Sequence, residues 1–219
     1  MQSKDYQRAR SDFQKEERKE AIKRATMHQF DSGAWHEITL TTIAEEVGWS
    51  RANMYVYYKT KEEIFLEIVA DKFENYFEGL RCALPHGCDF DSDTVAEIWA
   101  GIASANQNYF RYSDALASVI ETNVSIDSLA KFKSRYYTCV DSIRQQVADV
   151  IGMRAEDVDQ LVIWIYYHGV GRAGICHDNP LVVEALERIG REPYNIDFKA
   201  DLKSFIKVCL SHFKAEAEG

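Results

Sequence analysis

The chain has 219 residues, 46 % of them hydrophobic and 28 % charged, with 35 Asp and Glu against 26 Lys and Arg. That length buries a core of one large or two small domains, and the composition is that of an ordinary globular protein rather than a disordered or fibrous one. No apolar run approaches the roughly 20 residues that cross a bilayer.

The opening, "MQSKDYQRARSDFQKEERKE", lacks the apolar centre of a secretion signal, so a cytoplasmic protein without a membrane partner is expected. Five scattered cysteines (Cys82, Cys88, Cys139, Cys176, Cys209) do not form a disulfide framework. "RCALPHGC" brings Cys82, His86 and Cys88 close in sequence. It reads as a loop turned by Pro85 and Gly87, because no second ligand pair follows at zinc-site spacing. No metal or cofactor is expected.

Only three prolines occur, at 85, 180 and 193. Long stretches repeat at helical period and none alternates usefully, so the fold is expected to be all-α. The first helix runs from about Asp12 to Ser32, with Ile22, Ala25 and Phe30 on its apolar face and Gly33 as its stop. Before it, Lys4, Arg8 and Arg10 read as a disordered tail in preference to an arm in the minor groove. Next, Thr39 caps a short helix carrying Ile43, Ala44 and Val47, with Thr42 too short for a full capping box. Gly48 ends it. Ser50 caps a second short helix from Arg51 to about Tyr58. Two such helices around a glycine turn make a helix-turn-helix, held by packing through Met54 and Tyr58. Thr60 and Glu63 then open a long helix as a capping box, fading near Leu84 and Pro85. Further helices follow over about 93–109, 113–122, 125–151, 156–173 and 197–214.

Charge is uneven along the chain. Residues 1–61 carry eleven Lys and Arg against nine Asp and Glu, while the remainder is strongly acidic. A basic head on an acidic body fits a chain in which only the head meets a polyanion.

Over residues 20–70 this order of parts resembles the tetracycline-repressor (TetR) family of transcriptional regulators. The family pattern T-x-x-x-I-A-x-x-x-G-V-S-x-x-x-x-Y-x-x-F-x-x-K-x-x-L is met by Thr39, Ile43, Ala44, Gly48, Ser50, Tyr55 and Lys61, with Ile64 for Leu. Trp49 stands where Val is usual and Tyr58 where Phe is usual; each adds a polar group that needs a partner if buried. The resemblance implies a three-helix DNA-binding head over residues 1–62, and a long helix leading into an effector-binding and dimerisation bundle over residues 63–219. Beyond residue 85 it rests on helical content and length alone.

Carried over residue by residue, the resemblance puts Arg51, Ala52 and Asn53 at the base-reading positions. Arg suits guanine, Asn adenine and Ala a thymine methyl. Tyr55, Tyr57, Thr41, Thr42 and Lys61 fall at phosphate-contacting positions. Arg51 also fits a solvated helix end, and Val56 is ambiguous. The partners implied are a double-stranded operator and a second copy of the chain. For the second copy, the last helix and the 156–173 helix are candidates, the latter through Gly169, Gly171 and Gly174; both also read as plain core helices. A small apolar or aromatic effector is implied as well, with Trp99, Asn106, Tyr109, Tyr136, Trp164, Tyr167 and His168 as candidate contacts. His168 reads as a hydrogen-bonded helix residue before it reads as a switch. No G-x-S-x-G, phosphate loop, HExxH or paired zinc motif appears, which argues against an enzyme. The competing readings are a regulator without an effector and a protein-interaction module.

Overall fold

A computed structural model describes residues 2–32, 35–114, 116–175, 180–193 and 196–218. Its side chains are described from Phe13 to Ala215 within those ranges, Ala117, Ser118 and Ile175 excepted. The fold is all-α among the described residues, with α1 (Gln2–Ser32), α2 (Leu40–Glu46), α3 (Arg51–Met54), α4 (Lys61–Ala83), α5 (Ser92–Ala105), α6 (Gln107–Ser113), α7 (Ile126–Ile151), α8 (Val158–Ile175), α9 (Pro180–Arg188) and α10 (Phe198–Glu218). The chain divides into two compact units. One comprises residues 1–68 and 117–130, the other residues 69–116 and 131–219. The three divisions fall inside α4, between residues 116 and 117, and early in α7.

In the first unit, α2 packs on both α1 and α3. Ile22, Ile43, Met54 and Ile64 are fully buried. Trp35 lies against Phe65 with ring centroids 4.4 Å apart, and Phe30 meets the same ring edge-on at 5.2 Å. Tyr58 explains its own departure from the family pattern. Its ring is buried, and its hydroxyl donates to Glu67 Oε2 at 2.6 Å, where Lys19 Nζ also reaches Oε1 at 2.8 Å. The polar group brought into the core has a charged acceptor.

Helix ends follow local chemistry, with two corrections. Thr39 and Thr42 do form a full reciprocal box. The Thr42 N–H donates to Thr39 Oγ1 at 3.1 Å, and the Thr39 N–H to Thr42 Oγ1 at 3.0 Å. A threonine hydroxyl reaches back as a glutamate would, because Gln29 Oε1 accepts its proton at 2.8 Å and leaves the lone pairs free. At α4, Thr60 Oγ1 accepts from the Glu63 N–H at 3.2 Å, but Glu63 Oε2 takes the Lys59 N–H at 2.9 Å rather than that of Thr60.

The second unit has an aromatic centre. Phe73, Tyr76, Phe77, Tyr109 and Phe110 are buried, and successive rings meet at centroid distances of 4.9 to 6.4 Å. Trp99 of α5 is fully buried, with its indole N–H donating to Tyr76 Oη at 2.6 Å. Arg135 of α7 binds Asp71 at 2.9 Å and Glu74 at 2.6 Å on α4. Gln146 Nε2 donates to the Arg81 carbonyl at 2.6 Å and to that of Leu84, satisfying the end of α4. α5 packs on α10, and α8 on both α6 and α10.

Several boundaries differ from the sequence expectation. α1 is already helical at Gln2, so the expected tail belongs to the helix; the side chains of Lys4, Arg8 and Arg10, and Gly33, lie outside the described residues, as does Cys176. α3 stops at Met54, and residues 55–57 turn so that both the Tyr57 and Tyr58 N–H groups reach the Met54 carbonyl, at 2.9 and 3.0 Å. The expected 93–109 helix breaks at Asn106, whose backbone (φ −113°, ψ 29°) is not helical and whose Nδ2 donates to the Ile102 carbonyl at 2.9 Å. Instead of a helix over 113–122, α6 ends at Ser113 and Leu116–Ile120 form a π-helical turn. α9 was not expected at all; it opens with Pro180, a residue suited to the first helical position.

Candidate nucleic-acid interface and aromatic body

The first turn of α3 is held from two sides. Ser50 Oγ accepts the Asn53 N–H at 3.3 Å, and Met54 is fully buried. With the helix pinned there, Arg51, Ala52 and Asn53 are all exposed. Arg51 folds back on its own helix: Nε and Nη2 donate to Tyr55 Oη at 3.3 and 2.8 Å, and the guanidinium carbon lies 5.5 Å from the Tyr55 ring centre. Tyr55 is itself 48 % exposed. Tyr57 is half-buried, and its hydroxyl accepts from Arg18 Nη1 of α1 at 3.1 Å. That bond raises the Arg18 pKa. Val56, ambiguous in sequence, is 71 % exposed.

The other candidate phosphate contacts are engaged differently. Thr41 is half-buried at the start of α2. Thr42's hydroxyl is taken up by the capping box and Gln29. Lys61 Nζ donates to the Trp35 carbonyl at 2.7 Å and stands 4.5 Å from that ring centre; burial lowers its pKa. The sequence reading missed Arg18 because it is remote from the helix-turn-helix. Its only signal was a cation in α1 at unknown distance from Trp49 and Tyr57.

The seven candidate effector residues do not gather around one opening. Trp99 and Tyr109 are core. Tyr136 is half-buried beside Phe73 and Phe77, at 5.6 and 5.8 Å. Burial pushes the Tyr109 and Tyr136 phenols well above their ordinary range, and the Tyr166 phenol nearby adds to this. Trp164 packs on His212 and Phe213 of α10, at 5.2 and 5.1 Å. His168 stacks on Phe205 at 3.9 Å and bonds Asp201 at 2.7 Å, where Arg172 also binds at 3.0 Å. Tyr167 is 68 % exposed, and Asn106 sits at the α5–α6 break. A groove of about 480 Å³ does open between α4 and α7, lined by Glu74, Phe77, Glu78, Arg135, Thr138 and Cys139, with none of the seven in its wall.

Of the glycines expected to let a second copy approach, Gly169 serves the chain itself. A Cβ there would meet Phe110 at 2.5 Å, whereas Gly171 and Gly174 face open space. At the loop after α4, the Cys82 thiol donates to Glu78 at 3.3 Å while His86 Nδ1 lies 3.5 Å from Asp149. The two side chains are engaged with separate partners.

The comparisons with known proteins agree with this architecture. The family described as bacterial regulatory proteins, tetR family, matches residues 22–68, and the tetracyclin repressor-like C-terminal domain matches residues 70–215. No curated protein matches the chain. Among solved structures, the fatty acid degradation regulator FadR from Bacillus halodurans is similar in fold at a TM-score of 0.58 and 11 % identity, over 88 % of this chain and 94 % of that one. A transcriptional regulator from Cytophaga hutchinsonii gives 0.54 at 17 % identity, over 90 % and 96 %. A TetR/AcrR-family regulator from Thermobifida fusca gives 0.53 at 14 %, over 90 % and 98 %. At such identities the likeness is one of fold. With a helix-turn-helix head whose second helix presents its first turn outward, and with family matches covering both the head and the body, the chain belongs to the tetR family and is a DNA-binding transcriptional regulator.

Proposed function

We propose that the protein is a homodimeric repressor, acting in the cytoplasm, that binds a palindromic operator and is released by a small apolar or aromatic effector. Residues 1–62 read the DNA, and residues 63–219 hold the effector and the dimer contact. The observation that carries the proposal is the exposed first turn of α3, with Arg51, Ala52 and Asn53 outside the core of the head. Arg51 and Asn53 can each pair bidentately with a base, contributing about 1–3 kcal/mol of discrimination. Tyr55 and Tyr57, with Thr41, Thr42 and the start of α4 at Lys61, serve the backbone of the same duplex. In a dimer the two recognition helices stand about 34–36 Å apart, one turn of DNA.

The second copy docks on α8 and α10, where Ile163, Tyr167 and Val208 are exposed apolar or aromatic side chains. The effector enters the aromatic centre near Tyr109 and Tyr136, whose phenols are polar groups in an apolar setting, the mixture typical of ligand sites. Trp99 adjoins this centre through its bond to Tyr76, and Asn106 through its carbonyl, which accepts the Tyr109 N–H. Trp164 and His168 pack on α10 and Tyr167 is exposed, so these three are left out of the effector contact. Because Trp99 and Tyr109 are closed to solvent, the effector must open the cluster, and it acts only through its difference in affinity for the closed and open states. The same closure favours, as a second reading, a regulator that works without an effector.

The test is selection of binding sites from a random DNA pool, followed by anisotropy titration of the winner against wild type and an Arg51→Ala, Asn53→Ala variant. The expected result is a palindrome bound by wild type, with sequence preference lost in the variant. Enrichment of no site, or equal preference in the variant, overturns the assignment of the reading residues.

A further inference from the structure

Beside α3 the head carries a second feature that the helix-turn-helix itself does not require. Arg18, Trp49, Asn53, Val56 and Tyr57 line a depression of about 230 Å³. Arg18 comes from α1, and Nη1 is anchored on Tyr57 Oη at 3.1 Å. Its guanidinium carbon lies 5.9 Å from the Trp49 ring centre, and the Trp49 and Tyr57 rings stand 6.1 Å apart. A guanidinium has five N–H donors in a planar fork, and Tyr57 occupies one.

Among the described residues no carboxylate pairs with Arg18. The adjacent Lys19, by contrast, is committed to Glu67 at 2.8 Å. Two neighbouring cations on one helix therefore have opposite assignments, one tied into the head and one facing out beside Asn53. Trp49 adds an indole N–H with no acceptor among the described residues.

We propose that Arg18, Trp49 and Tyr57 form a phosphate cradle through which α1 grips the backbone of double-stranded DNA next to the recognition turn. The free edge of the Arg18 fork matches two phosphate oxygens bidentately. The Trp49 N–H and Tyr57 O–H are further donor groups of residues that line the same depression. Such a contact fixes the register of the head on the duplex without reading sequence. It also accounts for tryptophan at the position where the family pattern has valine, since valine offers neither a face for a guanidinium nor an N–H. The inference rests on the DNA-binding reading of the head.

The experiment titrates wild type, Arg18→Ala and Arg18→Lys against both a selected operator and an arbitrary duplex, by anisotropy over a range of salt. Arg18→Ala is expected to weaken every duplex by a similar factor, roughly tenfold. It should also make the log–log salt slope shallower by about 0.9 per duplex-bound head, with base preference unchanged. Arg18→Lys should recover the slope. Circular dichroism and melting serve as the folding control, for which an exposed guanidinium predicts wild-type behaviour. An Arg18→Ala protein with wild-type affinity and slope, or a loss confined to one base position, overturns the cradle alone. A wild-type protein that binds no duplex overturns both the cradle and the regulatory reading.

Discussion

Gly169 offers the sharpest quantitative test of the packing described above. An alanine Cβ at this position would stand 2.5 and 2.6 Å from Phe110 Cδ1 and Cε1, against the 3.5–4.0 Å at which carbon atoms attract. The ring must therefore retreat by about 1 Å. It has nowhere to go, being fully buried between Tyr76, Tyr109 and Phe198 at centroid distances of 5.4, 4.9 and 5.7 Å. Overpacking of this kind costs about 1–3 kcal/mol. Alanine recovers roughly 0.5–1 kcal/mol of helix propensity over glycine, so Gly169→Ala should lose about 1–2 kcal/mol. For a chain of this size that lowers Tm by roughly 2–8 °C. Gly101 in α5 is the control, because its added Cβ would meet only Lys199 Cε, at an ordinary 3.8 Å. Gly101→Ala should keep the propensity gain of about 0.5–1 kcal/mol and raise Tm. Melts of the three proteins at one protein concentration decide the matter. Shifts of the same sign in both variants, or a stabilised Gly169→Ala, would refute the claim that α6 and α8 meet through this glycine.

Trp99→Phe removes the donor to the buried Tyr76 hydroxyl and leaves space behind; urea unfolding should show a loss of about 2–4 kcal/mol, partly recovered when Tyr76→Phe is added, and simple additivity would argue against the bond. Tyr58→Phe deletes the proton shared with Glu67 while Lys19 stays in place, so stability should fall by about 1 kcal/mol in the same assay. On the alkaline side, burial raises the Cys209 thiol from 9.0 to about 11 and pushes Tyr76, Tyr109 and Tyr136 well above the ordinary phenol. In this window the unfolded chain loses protons before the folded one does, so stability falls as pH rises. Melting temperatures measured from pH 7 to 11 should begin to decline near pH 9, and a flat profile to pH 11 would contradict the burial of these groups.

The helix ends within the head were legible because chemistry a few residues long sets them. Thr39, Ser50 and Thr60 each cap the helix that follows them, and Gly48, at φ +73°, occupies the left-handed turn that glycine favours. The shortness of α3 was not legible, since residues 51–59 hold no glycine or proline, and the turn over 55–57 shows only in its backbone bonds to Asn53 and Met54. Nor was the break at Asn106: apolar residues continue at helical period on both sides of it, so period alone reads one helix. α9 escaped for a different reason. It has no buried residue among those described, and Leu181 and Val182 are exposed, so no run of core positions marked it. In the body, the residue types of a ligand site and of an aromatic core are the same. Sequence therefore singled out Trp99, which the fold closes off, while giving no sign of the groove beside Arg135.

The manner in which the head holds its outward cations has a kinetic consequence. Arg18 and Arg51 are each steadied by a tyrosine hydroxyl, whereas Arg135, Arg144 and Arg154 in the body are each clasped by carboxylates. A carboxylate clasp cancels the charge at a distance and must be torn open before the guanidinium can serve another anion. A neutral phenol cancels no charge, and giving it up costs hydrogen bonds to a neutral acceptor rather than a paired ion. Within a protein whose net charge is −9, these two arginines keep their field visible to an approaching polyanion. The encounter can thus be steered by the head even though the molecule as a whole repels DNA, and raising the ionic strength should slow association more than it hastens departure.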